Sequence, residues 1–273
     1  MNNMRNNSAK ESADFLVEKL GRPKIFFILG SGIDLTSITN KCEEVREISF
    51  GEIPNFPSLT VEGHKGKIIA GKFLGKIPIY LFFGRKHTYE GNVEDTMFIS
   101  DVMSEIGAEI GIFTSSMGAI SDNIQPGDLV LLKDIISLGG IWTAKYSQSV
   151  SRRFQNPNHR FSLFDYEFSQ KFYDAGEKAG ICIKRGIAAF LTGPTYETLA
   201  EVNMLKIIGA DVVSMSMAPE VSAASSSGIR CIGVALVTNR SGEHSNHKDV
   251  LHTAKSASRK LVKIIENFIK SLI

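Results

Sequence analysis

Five stretches of this 273-residue chain place glycine, hydroxyl, basic, acidic or amide side chains directly after a short apolar run. Gly30-Ser31-Gly32 follows the run 25–29. Two glycines around a hydroxyl let successive backbone N–H groups converge on an anion, and Ser31 adds a donor. A tight turn would use the same residues. A dinucleotide fingerprint is excluded because its third glycine position holds Leu35, and no Walker lysine follows. Gly84-Arg85-Lys86-His87-Thr88-Tyr89-Glu90-Gly91 follows the run 79–83. There Arg85 offers a planar fork for phosphate and His87 a further donor. A solvated charged turn has the same composition, and His64, in Glu62-Gly63-His64-Lys65-Gly66, is open to the same two readings.

The third stretch, Thr114-Ser115-Ser116-Met117-Gly118, is small enough for backbone amides to approach a ligand, or is simply a strand giving way to a turn. Gly193-Pro194-Thr195-Tyr196-Glu197-Thr198 leads into a helix, and Glu197 just ahead of it either caps that helix or accepts from a ligand N–H. Met215-Ser216 and Thr238-Asn239 form the fifth set. An amide closing the apolar run 234–237 puts a donor and an acceptor at the mouth of a sheet, or caps the next turn. His247 reads as a first-turn residue of the last helix. There is no GxSxG elbow, no HExxH and no CxxC pair. Anion donors, a carboxylate and an amide without a nucleophile–base pair suit a reaction whose nucleophile is a bound oxyanion.

These residues need a scaffold that gathers them. The runs 25–29, 79–83, 110–113, 129–132, 187–191, 212–215 and 231–237 are apolar at consecutive positions, which predicts strands covered on both faces. Helical spacing links them at 13–20, 96–106, 198–208, 219–227 and 247–273. Thr198 and Glu201 stand at capping-box spacing, and Gly107, Gly209 and Gly228 follow three of the predicted helices. Strand–helix alternation over the whole length predicts one α/β domain, residues 1–273, with 1–8 outside its ordered part. In such sheets ligands bind beyond the carboxyl ends of the strands. Residues 142–159 are polar and irregular and read as a long loop.

Composition excludes several classes. The chain is 43% hydrophobic and 22% charged, ordinary for a globular protein. Lys and Arg outnumber Asp and Glu by 31 to 29, so neither nucleic acid nor a membrane surface is an expected partner. Cys42, Cys182 and Cys231 are odd in number and widely spaced, which argues for a reducing compartment. The Asn-rich start lacks the apolar core of a signal peptide, and the expected location is the cytoplasm.

Taken in order, Leu29-Gly30-Ser31-Gly32, Gly51-Glu52-Ile53-Pro54-Asn55-Phe56-Pro57, Gly63-His64 and the 84–91 stretch resemble the trimeric purine nucleoside phosphorylase family. Gly193 to Thr198, Gly209-Ala210-Asp211, Met215-Ser216, Pro219-Glu220-Val221 and Val237-Thr238-Asn239 continue the resemblance nearly to the end of the chain. It implies a phosphorylase-type three-layer α/β/α sandwich with a mixed, partly barrel-like central sheet, assembled as a homotrimer. It implies phosphorolysis of 6-oxopurine (deoxy)ribonucleosides such as inosine and guanosine, with phosphate as co-substrate and no cofactor or metal. Phosphate would be held by Ser31, His64, Arg85, His87, the backbone near Ser116, and Ser216. Tyr89, Met215 and His247 would meet the ribose, joined by Phe161 from a neighbouring subunit. Tyr196 would line the base pocket, Glu197 would accept from N1–H, and Asn239 would bond O6 and N7. Catalysis would rest on Asn239, Glu197 and His87.

The chain departs from the family pattern at several points. Ser115-Ser116-Met117-Gly118 stands where Asn-Ala-Ala-Gly is usual, Ser214 where Gly is common, and Met217 where Thr is common. Methylthioadenosine phosphorylase, a relative serving a 6-aminopurine, is the nearest alternative, but there an Asp commonly replaces the Asn. The alternative of another class, a catalytically silent purine-binding homologue, is prompted by Ser116-Met117. The retained Arg85, His87, Glu197, Ser216 and Asn239 speak against it.

Overall fold

The computed structural model of the chain describes residues 2–59, 65–138, 162–243 and 247–273. Helix α1 (Asn2–Leu20) leads into β1 (Ile25–Leu29), and three strands follow: β2 (Cys42–Ser49), β3 (Lys67–Phe73) and β4 (Ile77–Phe83). Next come α2 (Phe98–Ile106), β5 (Ile110–Ala119), β6 (Leu129–Ser137), α3 (Tyr166–Lys178) and β7 (Lys184–Phe190). The chain closes with α4 (Leu199–Ile207), β8 (Val212–Ser214), α5 (Ala218–Ser226), β9 (Arg230–Arg240) and α6 (His247–Lys270). The nine strands of the described residues form one mixed sheet, ordered β2-β3-β4-β1-β5-β8-β7-β6-β9. Because β9 also pairs with β5 in parallel, β5, β8, β7, β6 and β9 close into a barrel.

Alternation along β1 shows how the layers form. Phe26 and Ile28 join a core that includes α1, α2 and α5, whereas Ile25, Phe27 and Leu29 join another that includes α3 and α6. Every β1 side chain is buried, so the strand must read as a continuous apolar run, as parallel strands with two covered faces do. This is the expected phosphorylase-type three-layer α/β/α sandwich, with part of its sheet rolled into a barrel. Among the described residues no helix is long and apolar enough to cross a membrane.

The structure departs from the sequence expectations where burial is one-sided. In the edge strand β2 Ile48 alone is buried, so its Glu- and Arg-rich sequence gives no apolar run. In α3 the buried residues are Phe168, Phe172, Ala175 and Gly176, next to a segment expected to be loop. Residues 114–118 do not leave the strand: β5 continues to Ala119, and β9 likewise continues through Asn239 to Arg240. Helix α1 begins at Asn2, inside the segment set apart from the ordered domain. The expected loop at 142–159 lies outside the described residues.

Helix ends follow their chemistry. Thr198 caps α4, taking the Glu201 N–H on Oγ1 at 3.3 Å while Glu201 Oε2 accepts the Thr198 N–H at 2.8 Å. At the carboxyl end of β1 the backbones of two elements nearly touch. A Cβ on Gly30 would lie 3.0 Å from Ser115 Cα and 3.2 Å from the Thr114 oxygen. Both neighbours are main-chain atoms of β5 and have little freedom to yield. Gly30→Ala is therefore expected to cost about 1–3 kcal/mol, as overpacking does. Urea unfolding of the variant beside wild type measures it, and equal midpoints would contradict the close approach.

Candidate active site

A cavity of about 220 Å³ opens where β1, β5, β8 and β9 end, roofed by the 193–198 stretch. Its lining divides into an end rich in hydroxyls and backbone and an end with one carboxylate and one amide. Ser31, His87, Ser115, Ser116, Ser214 and Ser216 make the first end, and Glu197, Asn239, Ser241 and Thr238 the second. Tyr89, Met117, Val213, Met215 and Tyr196 lie along the walls.

The first end is organised by Arg85, which is 1% exposed and contributes no lining surface. Its Nη2 donates to the carbonyls of Ile28 at 3.0 Å and Thr114 at 2.7 Å, tying it to β1 and β5. Nη1 donates to Ser216 Oγ at 3.2 Å, and Nε lies 3.4 Å from Glu220 Oε1. Both charged side chains are sealed, at 0% and 2% exposure. Burial pushes the Glu220 carboxyl upward and the Arg85 charge opposes it. The expected phosphate ligand Arg85 thus stands one layer behind the cavity and meets it through Ser216.

Ser216 belongs to a triangle of hydroxyls. Its Oγ lies 2.9 Å from Ser115 Oγ and 3.2 Å from Ser214 Oγ, and these two are 3.0 Å apart. Ser115 and Ser214 are two of the positions that depart from the family pattern, and here the two hydroxyls meet each other. The residue after Ser216, Met217, holds φ at +75° with its side chain 1% exposed. A left-handed conformation is uncommon for such a side chain and costs of order 1–3 kcal/mol. It turns the chain sharply from the serine triangle into α5, whose first turn carries Glu220. On the other wall Ser116 Oγ donates to the Ser31 carbonyl at 2.8 Å.

His87 is fixed by Glu90, whose Oε1 lies 2.9 Å from Nδ1 and accepts the His87 backbone N–H at 2.7 Å. Burial lowers the imidazole pKa, Glu90 raises it, and the Arg85 charge lowers it again, for a net lowering. Its ring stacks on Tyr89, with centroids 5.1 Å apart.

The carboxylate–amide end depends on an irregular register. Along the β5–β9 ladder Met117 pairs with Val237 but Gly118 pairs with Asn239, so Thr238 is an extra residue. Such a bulge re-aims the side chains beside it. Thr238 Oγ1 donates to Asn239 Oδ1 at 2.9 Å, leaving the Asn239 Nδ2 hydrogens as the donors of this end. Glu197 precedes the cap of α4, and its Oε2 accepts from Ser241 Oγ at 2.5 Å.

The cavity brings together Ser31, His87, Tyr89, Ser116, Tyr196, Glu197, Met215, Ser216 and Asn239 among the expected site residues, with Arg85 behind them. Tyr196 is 57% exposed, so its ring borders the opening more than it fills the interior. His64 and Phe161 lie outside the described residues, as does the side chain of His247, whose backbone opens α6. Sequence reading gave no role to Glu90, Ser115, Thr238 or Ser241. Ser115 and Thr238 fall inside stretches marked above, and Glu90 stands three residues after the histidine whose backbone it accepts from, so Ser241 alone left no trace.

Comparison with known proteins places the chain in a family. The Phosphorylase superfamily profile matches residues 24–270. Purine nucleoside phosphorylase of Mus musculus is 32% identical, the match covering 92% of this chain and 90% of the mouse protein. Purine nucleoside phosphorylase 1 of Bacillus subtilis is 32% identical over 94% of this chain and 96% of its own length. The Geobacillus stearothermophilus protein of the same name is 29% identical over 98% and 99%. The chain belongs to the phosphorylase superfamily and, within it, to the purine nucleoside phosphorylase family. That membership makes it an enzyme of transferase type.

The buried pair beneath the hydroxyl triangle is open to direct measurement. Glu220→Ala would leave a sealed guanidinium without its counter-charge, expected to cost about 3–5 kcal/mol, and Glu220→Gln less, since the amide keeps a polar oxygen beside the guanidinium without opening a cavity. Denaturant unfolding of both variants reads the difference, and equal small losses would show that the pair carries little stability.

Proposed function

We propose that the enzyme cleaves 6-oxopurine ribonucleosides and 2′-deoxyribonucleosides with inorganic phosphate, giving free base and (deoxy)ribose 1-phosphate. The observation that carries this reading is the donor–acceptor order at the carboxylate–amide end. A 6-oxopurine presents acceptors at O6 and N7 and a donor at N1–H. Asn239, with Oδ1 engaged by Thr238, offers donors, and Glu197 offers an acceptor. A 6-aminopurine reverses the order at positions 1 and 6 and would face a donor with a donor. That mismatch disfavours the methylthioadenosine alternative.

The other end suits phosphate. Ser31, Ser216, His87 and the backbone near Ser116 supply donors, and the positive charge of Arg85 stands behind Ser216. A phosphate held there lies on the sugar side of a base held by Glu197 and Asn239. A phosphate oxygen forms the new bond to C1′ as the C1′–N9 bond breaks, and that bond's electrons leave with the purine. Donors from Asn239 stabilise the negative charge growing on the base, while the phosphate stabilises the oxocarbenium-like sugar. Gathering both substrates removes much of the entropy of encounter, roughly 7–11 kcal/mol at most. Tyr89 and Met215 flank the middle of the cavity, where the ribose would lie, with His247 proposed to reach its 5′-hydroxyl. His64 and a neighbouring subunit's Phe161 complete the proposed enclosure. The reading calls for no cofactor.

A homotrimer is proposed on the same footing. Helix α4, beside the cavity, shows solvent an apolar surface in Leu199, 68% exposed, and Ile207, 86% exposed. Exposed apolar side chains on a short helix beside the cavity would suit burial against another subunit. A cytoplasmic role in purine salvage fits the cysteine usage, with nucleosides and phosphate as the partners and no nucleic acid or membrane.

Release of hypoxanthine from inosine with and without phosphate tests the reaction, and phosphate-independent or absent release would refute it. Glu197→Ala is expected to lower kcat/KM for inosine at least about tenfold, equal to about 1.4 kcal/mol. Near-native turnover would remove its base-binding role. Asn239→Asp supplies an acceptor where the amide donates and is expected to shift preference from inosine towards adenosine. Parallel kcat/KM measurements on the two nucleosides decide, an unchanged ratio counting against the assignment.

A further inference from the structure

Glu197 has one hydrogen-bonding neighbour in the cavity that no part of the reading above employs. Ser241 is 7% exposed and lines the same end of the cavity. Its Oγ donates to Glu197 Oε2 at 2.5 Å. The serine is itself well anchored. Its backbone N–H donates to the Ala119 carbonyl at 3.0 Å, continuing the β5–β9 ladder one residue past Arg240. Its hydroxyl occupies the space above Gly118, where a Cβ would come within 2.7 Å of Oγ. Glu197, by contrast, sits on the partly exposed stretch before α4. The strand residue therefore fixes the loop residue.

We propose that Ser241 is a positioning and specificity-determining residue, holding Glu197 Oε2 so that the carboxylate presents Oε1 to a single base N–H. The inference rests on Glu197 facing the purine, as argued above. A carboxylate free at both oxygens can take two parallel N–H donors, the arrangement that a 2-amino-6-oxopurine offers through N1–H and its amino group. With Oε2 already receiving the serine proton, the amino group must share that oxygen. A base with N1–H alone meets no such competition. The enzyme is thus expected to favour hypoxanthine over guanine and inosine over guanosine, and Ser241 is the reason.

The test is calorimetric titration of hypoxanthine and guanine, in phosphate, into wild type, Ser241→Ala, Glu197→Ala and the double variant. Wild type should bind hypoxanthine more tightly. Ser241→Ala should weaken hypoxanthine about fivefold or more and move the hypoxanthine-to-guanine ratio towards guanine by at least about as much. Against Glu197→Ala the same change should alter neither affinity by more than about twofold, because its target is gone. An equal loss for both bases that persists without Glu197 would make Ser241 merely structural and overturn the proposal, as would no change at all. If wild type binds and cleaves as proposed yet the ratio stays fixed in Ser241→Ala, this inference falls alone. If neither base binds wild type, the base-site reading falls and takes the inference with it.

Discussion

A guanidinium sealed inside a protein must have its lost hydration replaced, and much of this enzyme's site follows from how Arg85 meets that demand. Removing a charge from water is costly unless opposite charge and good acceptors replace the lost hydration. Arg85 finds them on four elements: the end of β1 through Ile28, β5 through Thr114, the turn after β8 through Ser216, and α5 through Glu220. The same set of contacts that keeps the charge inside also brings those four elements to one point. The hydroxyl-rich end of the cavity is the surface of that junction.

The carboxylate–amide end is built differently, by register instead of charge. The extra residue Thr238 in β9 brings its hydroxyl to the Asn239 amide and sets which end of that amide is a donor. A little further along the strand, Ser241 reaches across to Glu197 on a separate loop. One strand end therefore orients both the amide and the carboxylate of this end. The serine triangle at Ser115, Ser214 and Ser216 adds a comparable device at the hydroxyl-rich end. There two residues that each depart from the family pattern become intelligible together, because their hydroxyls lie 3.0 Å apart.

Strain is placed where it serves this arrangement. Met217 holds a left-handed backbone between the serine triangle and α5. Its burial lets the surrounding core sustain a conformation that a solvated methionine would leave. The turn is what allows Ser216 to face the cavity while Glu220, four residues on, faces the arginine behind it.

Sequence alone was enough for the parts governed by local rules. Strands buried on both faces announce themselves as unbroken apolar runs, so β1, β4 and β9 were legible, as was the capping box that starts α4. Glycine, hydroxyl and charge after those runs marked Ser31, Arg85, His87, Glu197, Ser216 and Asn239, and the order of the motifs pointed to the family. The edge strand β2 and the one-sided helix α3 escaped because partial burial leaves no continuous pattern. Which residues touch across the site was also beyond it. Arg85 and Glu220 are separated by more than a hundred positions, as are Ser115 and Ser216 by 101, and Ser241 lies 44 from Glu197. Those pairings arise when the barrel closes and the register slips by one residue at Thr238. Both are set by packing among distant strands, which no local spacing records.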